Sequence, residues 1–116
     1  MESVWVLPRW SVRGIRAEHY VRDVLEKMGF LVVRSAGSHT PIDLIAGKGG
    51  KCFGVQVKMG RFPPKKELKQ LVEFCRELGI SPAVASNKGG GWSFYVVGED
   101  LELLEDEFFK RKRGGR

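Results

Sequence analysis

Two carboxylates in this sequence stand where the surrounding residues predict a buried, apolar side chain. Glu18 lies three and seven residues before Val21 and Leu25, on the inward face of a predicted helix. Asp43 interrupts the apolar run 42–46, which is otherwise typical of a buried strand. A buried carboxylate is unfavourable unless it is paired or bound to a metal, so both positions are candidates for chemistry. The structural alternative for Glu18 is a frayed first-turn residue that the helix dipole stabilises. For Asp43 it is an Asx turn after the preceding proline.

The segment 52–58 alternates between apolar and polar residues, as a strand with one buried face does. Its other face carries Gly54, Gln56 and Lys58, so an amide and an amine lie side by side. Because Gly54 has no side chain, we expect this face to be open near its middle. An edge strand with a polar outer face is the alternative interpretation of the same pattern.

Carboxylates beside an amide and an amine suit a hard divalent cation such as Mg²⁺, which prefers oxygen ligands and keeps several waters. The predicted ligands are Glu18, Asp43, Gln56 and the carbonyl oxygen of Val57. Such a cation would lower the pKa of a bound water and offset negative charge on a phosphate. Lys58 would then position the attacking water or stabilise the developing negative charge. These residue types predict metal-dependent hydrolysis of a phosphodiester.

The net charge of +6 and the pI near 9.6 conceal an uneven distribution. Residues 1–98 hold 15 bases and 8 acids, 99–107 hold six acids and no base, and 108–116 hold five bases and no acid. The basic stretch 48–69 carries seven bases against Glu67 alone. Such a stretch is typical of a surface that binds phosphates, although a solvated lysine-rich face has the same composition. The predicted DNA contacts here are Lys48, Lys51, Arg61, Lys65, Lys66 and Lys69.

Length and composition favour one globular domain, because 116 residues with 42% hydrophobic and 29% charged side chains suit a single core. No apolar run is long enough to span a bilayer, and no secretory signal precedes the domain. Cys52 and Cys75 make no disulfide framework and fit a reducing interior. We therefore expect a cytoplasmic protein without membrane partners. One Asn and two Gln favour a thermophile.

The periodicity predicts an α/β fold: one domain in which helices flank a central mixed five-stranded sheet, in the order α-β-β-β-α-β-β-α. The predicted strands are 30–34, 42–46, 52–58, 82–86 and 92–97. The predicted helices are 15–28, one that Pro63-Pro64 opens, and one that Asp100 caps, with Leu101, Leu104 and Phe108 on one side. Residues 1–13 are predicted as an arm or short edge strand, 14–109 as the domain, and 110–116 as a basic tail.

Other signals in the chain favour structure over chemistry. The glycine-rich, basic segment 47–51 is a predicted hairpin turn, because no Gly-Lys-[Ser/Thr] opens a helix after it. His19 and His39 with the two cysteines lack zinc-site spacing. Three aromatic residues could stack on bases or pack in a core or dimer interface: Trp5, Trp10 and Phe62.

Several stretches of the chain are similar to segments of one nuclease family. Gly14-Ile15-Arg16-Ala17-Glu18 resembles a Gly-x-x-x-Glu at the start of its first helix, and 29–38 are similar almost residue for residue to the strand and loop that follow. Residues 41–47 resemble the motif that carries a metal-binding Asp. Later matches are Leu71-Val72-Glu73-Phe74 and Trp92-Ser93-Phe94. The pattern resembles the PD-(D/E)xK core of the restriction-endonuclease type, and most closely the archaeal Holliday junction resolvases.

This resemblance implies a restriction-endonuclease-like fold and a homodimer that cuts four-way DNA junctions with Mg²⁺ or Mn²⁺, without a small-molecule cofactor. It implies that Glu18 and Asp43 bind the metal and that Lys58 is the catalytic amine. Residues 14–109 would then be a nuclease-like domain.

The resemblance also assigns residues to DNA binding and to dimer contacts. Arg34 falls on a basic position that the family uses for DNA and activity, and Ser38 lies in a matching loop that is one residue longer here. Arg16 and His19 flank Glu18 and are expected to contact DNA. Phe74 falls in the helix region associated with the dimer.

The chain departs from the family pattern at three places. Gln56 stands where the family has Glu, so a neutral amide replaces one negative charge near the predicted metal. His19 replaces the basic residue that usually follows the helix Glu, and most of the C-terminal extension is missing. The loss of charge at Gln56 leaves two alternatives open: a DNA-binding protein of the same fold with weakened or lost cleavage, and a related nuclease that acts on another DNA structure.

Overall fold

The computed structural model describes residues 9–35 and 40–110, and the side chains within those ranges from residue 16 onward. Its elements, in chain order, are α1 (Arg9–Lys27), β1 (Leu31–Arg34), β2 (Leu44–Lys48), β3 (Lys51–Met59), α2 (Lys65–Leu78), β4 (Ser81–Asn87), β5 (Trp92–Val97), β6 (Leu103–Leu104) and a 3-10 turn at Glu107–Phe109.

One mixed sheet runs through the molecule, with the strands in the order β1-β2-β3-β4-β5-β6. Only the central pair, β3 and β4, is parallel, because α2 is the crossover that connects these two strands. All other neighbours are antiparallel. The predicted α/β class with a mixed sheet is therefore confirmed, whereas the sheet has six strands and not five.

The two helices cover opposite faces of the sheet and bury two separate clusters. On the α1 face, Val21 and Leu25 pack against a cluster that includes Phe53 and Val55 of β3. On the α2 face, the cluster consists of Ile42, Leu68, Leu71, Cys75, Val84 and Val97. Since Phe53 and Val55 face α1, the alternating strand directs Gln56 and Lys58 to the α2 face.

The α2 face is closed at Gly54, contrary to the expectation that it is open there. A Cβ added at Gly54 would lie 2.7 Å from the Cys75 sulfur and 3.1 Å from the Ile42 and Ile80 side chains. The glycine therefore permits α2 to approach β3 closely, and the open part of this face lies further along the strand, beside Gln56 and Lys58.

Helix α1 begins at Arg9, inside the predicted arm 1–13. Val21 and Leu25 are fully buried, as the helical period predicts. The sequence of residues 1–13 shows no clear apolar period, so the prediction missed the first turns of this helix. Residues 1–8, with Trp5, lie outside the described residues, as does the Trp10 side chain.

The predicted C-terminal helix is wrong. Leu101 has a left-handed backbone (φ 63°), and β6 and the 3-10 turn follow it. A helix would place the acids of 99–107 on adjacent turns, where like charges repel. Instead, the Asp106 side chain accepts a hydrogen bond from the Phe108 N–H (2.9 Å), and Phe109 stacks on Phe30 and Phe94.

Neither helix of the described part is long and apolar enough to cross a membrane. Cys52 and Cys75 are both free thiols.

Candidate active site

Asp43 lies immediately before β2, where its backbone joins two neighbouring strands. Its N–H donates to the Val55 carbonyl (2.8 Å), and its carbonyl accepts from the Ser35 N–H (2.9 Å). The side chain is held as firmly, because Oδ2 accepts a hydrogen bond from the Val57 N–H (2.8 Å). Thr40, not Asp43, forms the side-chain turn in this loop, through its hydroxyl and the N–H and carbonyl of Ile42. The Asx-turn alternative for Asp43 is therefore wrong, and its carboxylate lies over β3.

The surroundings of Asp43 make its ionised form unfavourable. Burial raises the pKa of Asp43 from 3.8 to about 6, against the lowering effect of the Val57 N–H. Glu18 raises the pKa further, by its charge and by a shared hydrogen bond, whereas the Lys58 charge lowers it. The Asp43 and Glu18 carboxylates thus lie close enough to repel each other, an arrangement that a bound cation would stabilise.

Glu18 projects from α1 and makes one further contact. Arg34 Nε of β1 donates to Glu18 Oε1 (3.3 Å), and the two side chains are 37% and 22% exposed. Glu18 is therefore not a frayed first-turn residue, since nine helical residues precede it. The ion pair fixes the carboxylate and also occupies part of Arg34, which the resemblance assigned to DNA.

Gln56 presents an unsatisfied acceptor. Among the described residues, its buried Oε1 has no hydrogen-bond donor. A buried amide oxygen without a partner is unfavourable, and a cation or a bound water would satisfy it.

Lys58 lies at the open end of the α2 face. Its Nζ is 2.8 Å from Glu67 Oε1, and these side chains are 23% and 32% exposed. Together with Gln56, both residues line a cavity of about 470 Å³, whose wall also includes Thr40, Pro41 and Gln70. Sequence reasoning did not identify Glu67 as a site residue. The available signal was that Glu67 is the single acid in the basic stretch 48–69.

The oxygen atoms available at this site suit a hard cation, although they carry little negative charge. No group of three His, Cys, Asp or Glu side chains that could hold a metal occurs in the described part of the chain. Asp43 and Glu18 lie together and would provide two carboxylates, whereas Gln56 lines the Lys58 cavity with an unpaired amide oxygen. Mg²⁺ commonly binds through one or two carboxylates and takes its other ligands from water and substrate phosphate. These residues therefore suit Mg²⁺ or Mn²⁺ better than a metal that needs a complete protein cage.

The basic residues divide into two groups by location. Lys48 Nζ donates to the Met28 carbonyl at the end of α1 (2.7 Å) and lies over the Phe30 ring, and Lys51 lies over the Phe53 ring. Both lysines make these contacts at the β2–β3 hairpin. Lys51 is seven residues from Lys58, which corresponds to about 23 Å along an extended strand. The structure does not bring these two lysines to the cavity.

The remaining predicted DNA contacts lie nearer to the cavity or outside the described residues. Arg61, Lys65, Lys66 and Lys69 are exposed after β3 and along the first turns of α2. Arg16 is exposed and His19 half-buried on α1. Ser38, like His39, lies outside the described residues. Phe62 packs edge-on against Tyr95 beneath the Lys88 ammonium (4.5 Å from the ring centre), so it has local partners.

Phe74 belongs to an exposed apolar surface beside the cavity. Phe74 and Leu78 of α2 are 41% and 57% exposed, and with Ile42 and Ile45 they line a groove of about 590 Å³. Val33 of the edge strand β1 pairs with Ile45 and is 63% exposed. Helix α2 therefore leaves part of this sheet face uncovered.

Comparison with known proteins agrees with this geometry. The Archaeal holliday junction resolvase (Hjc) family matches residues 10–114. The crossover junction endodeoxyribonuclease Hjc of Methanocaldococcus jannaschii is 28% identical over 114 aligned residues, which cover 84% of this chain and 85% of that protein. The solved structure of Archaeoglobus fulgidus Hjc, a Holliday junction resolvase from an archaeal hyperthermophile, is 34% identical, covers 72% of each chain and superposes with a TM-score of 0.61. The chain therefore belongs to the archaeal Holliday junction resolvase (Hjc) family.

Proposed function

We propose that this protein is a metal-dependent endonuclease that resolves four-way DNA junctions by hydrolysing phosphodiesters. The observation that carries the proposal is the Asp43 carboxylate, which the Val57 N–H holds beside Glu18 with a pKa raised to about 6. A structural carboxylate would be paired with a base or exposed, whereas the Asp43 carboxylate is half-buried next to a second acid. The names of the two relatives supply the substrate class.

Glu18, Asp43, Gln56 and the Val57 carbonyl would hold Mg²⁺ or Mn²⁺. When bound, the metal supplies an activated water and offsets charge on the scissile phosphate. Asp43 and Glu18 bind and orient, and the hydrogen bond from Val57 fixes the Asp43 carboxylate in one direction. Gln56 offers its unpaired oxygen without adding charge.

Lys58 would act on the phosphate rather than on the metal. Its ammonium is close enough to lower the pKa of Asp43, and it lines the same cavity as Gln56. A positive charge at that point stabilises the negative charge that develops on the phosphate oxygens during hydrolysis.

The DNA backbone would approach along the exposed bases of α2 and α1. Lys65, Lys66 and Lys69 lie on the helix that borders the cavity, and Arg16 lies on the helix that carries Glu18. Ser38 and the basic tail 110–116 are further proposed DNA contacts, and residues 14–109 are the proposed nuclease-like domain. A chromosomal substrate implies that the protein acts at the nucleoid.

A homodimer would bury the apolar surface formed by Val33, Ile45, Phe74 and Leu78. Contiguous exposed apolar surface of this kind marks interaction sites. A second copy is the partner that fits best, because a four-way junction offers two symmetric strands to cut and a two-fold dimer presents two identical sites.

The deciding experiment incubates the protein with a synthetic four-way junction and Mg²⁺ or Mn²⁺. Paired cuts near the branch point are expected, and Asp43→Ala should abolish them. Asp23→Asn, an acid on the exposed side of α1, is the matched control. Cleavage that survives Asp43→Ala would contradict the assignment.

A second candidate is a junction-binding protein of the same fold that no longer cuts, and Gln56 is the observation that favours it. Tight, salt-dependent junction binding without cleavage in either metal would support this candidate. Gln56→Glu should then restore cleavage. A nuclease specific for another DNA structure would bind linear duplex about as well as the junction in a competition assay.

A further inference from the structure

Glu67 faces the proposed cleavage site from the helix that follows the catalytic strand. Its Oε1 is 2.8 Å from Lys58 Nζ, and both side chains are only partly exposed. Partial burial matters, because a fully exposed lysine would spread over many rotamers and hold no fixed position. Here the ammonium and the carboxylate form a close ion pair, although Glu67 Oε1 accepts no hydrogen bond among the described residues.

The fold creates this contact by packing the start of α2 over the end of β3. Gly54 lets α2 approach closely through Cys75, and Leu68 and Leu71 anchor the same helix face in the core. Glu67 lies in the first turn of α2, one residue before buried Leu68, where an acid is also favoured by the helix dipole. Its placement opposite Lys58 therefore follows from the register of the helix.

The Glu67–Lys58 contact places a negative charge beside Lys58, which the neutral Gln56 side chain does not provide. A glutamate there would lie on the same face as Lys58, two residues along the strand, whereas Gln56 is neutral. Without another acid, the flexible ammonium could pair with the Asp43 carboxylate, which lies over the same strand at the Val57 N–H. A direct pair of that kind would occupy the carboxylate that the metal needs.

We propose that Glu67 is a positioning residue that holds the Lys58 ammonium at the scissile phosphate and away from Asp43, so that α2 supplies the carboxylate that position 56 lacks. This inference rests on the proposed function. Glu67 acts through Lys58, since no third carboxylate in the described residues joins the Glu18–Asp43 pair.

The first test measures single-turnover cleavage and junction binding separately. Glu67→Gln should lower the cleavage rate at saturating protein by about 10- to 100-fold, the cost of misplacing a catalytic group, and leave the junction Kd without metal within about twofold. Glu67→Asp, which keeps the charge one methylene further back, should retain an intermediate rate. Glu26→Gln, the same change at an exposed α1 residue, is the control.

The second test does not depend on cleavage. In protein with ¹³C-labelled lysine, the Lys58 Cε resonance, identified by its loss in Lys58→Arg, should shift in Glu67→Gln and stay in place in Glu26→Gln. An unchanged resonance, or wild-type cleavage by Glu67→Gln, would overturn the inference. If the wild type cuts no junction, the proposed function fails, and the Lys58 resonance alone then decides whether Glu67 positions the amine.

Discussion

Asp43→Asn should stabilise the protein at neutral pH, because the buried carboxylate opposes folding once it ionises. Asparagine keeps the side-chain oxygen that accepts from the Val57 N–H and removes the charge that Glu18 repels. Below the unfolded-state pKa of 3.8, Asp43 is protonated in both the folded and the unfolded protein. As the pH rises from there through about 6, the unfolded chain releases this proton first, so the folded wild type loses stability over this window.

The magnitude follows from the raised pKa. A change from 3.8 to about 6 corresponds to about 3 kcal/mol at 1.36 kcal/mol for each tenfold change in acidity. Because Asp43 is only half-buried and titrates together with Glu18, we take about 3 kcal/mol as an upper limit. The free energy of unfolding of the variant should therefore exceed that of the wild type by roughly 2–3 kcal/mol above pH 7 and match it near pH 4.

Urea unfolding across this pH range, in EDTA, measures the difference directly. Asp23→Asn is the control, and its difference from wild type should not follow the same curve. Saturating Mn²⁺ should reverse the order at neutral pH, since ligand binding stabilises only the protein that binds it. A stability difference that is independent of pH, or an Asn variant that is less stable at neutral pH, would refute the electrostatic reasoning.

Three further changes test other parts of the structure. Gln56→Glu should tighten Mn²⁺ binding on the order of tenfold, measured by calorimetry, because ligand charge sets the affinity of such sites; unchanged affinity would remove Gln56 from the metal site. Gly54→Ala should lower the free energy of unfolding by about 1–3 kcal/mol, because its Cβ would overlap the Cys75 sulfur. Gly47→Ala is the control. Its Cβ would lie 3.7 Å from the nearest atom, so its free energy of unfolding should stay close to that of the wild type. Phe74→Asp should shift the protein from dimer to monomer in analytical ultracentrifugation, and a dimer that persists in this variant would place the interface elsewhere.

The sequence alone determined the parts of this protein that depend on local pattern. Alternation along 52–58 placed Gln56 and Lys58 on one face, and the helical period identified Val21 and Leu25 as buried. Glu18 and Asp43 were detected because each breaks an apolar pattern, and such violations mark functional sites. The motif resemblance identified the family, which the match over residues 10–114 now shows.

Only the tertiary structure decided the contacts between segments that are far apart in the chain. Glu67 pairs with Lys58 because α2 packs over β3. Lys48 donates a hydrogen bond to the Met28 carbonyl because the β2–β3 hairpin lies next to the end of α1. The sequence pattern around a charged residue does not indicate its contact partner. Lys48 was therefore assigned to DNA from the basic composition of its segment, without its contact with Met28. The C-terminal segment formed β6 and a 3-10 turn because Phe109 gains ring contacts with Phe30 and Phe94 that no helix there would give. Local pattern reports which side of an element is buried, and packing alone reports what that side touches.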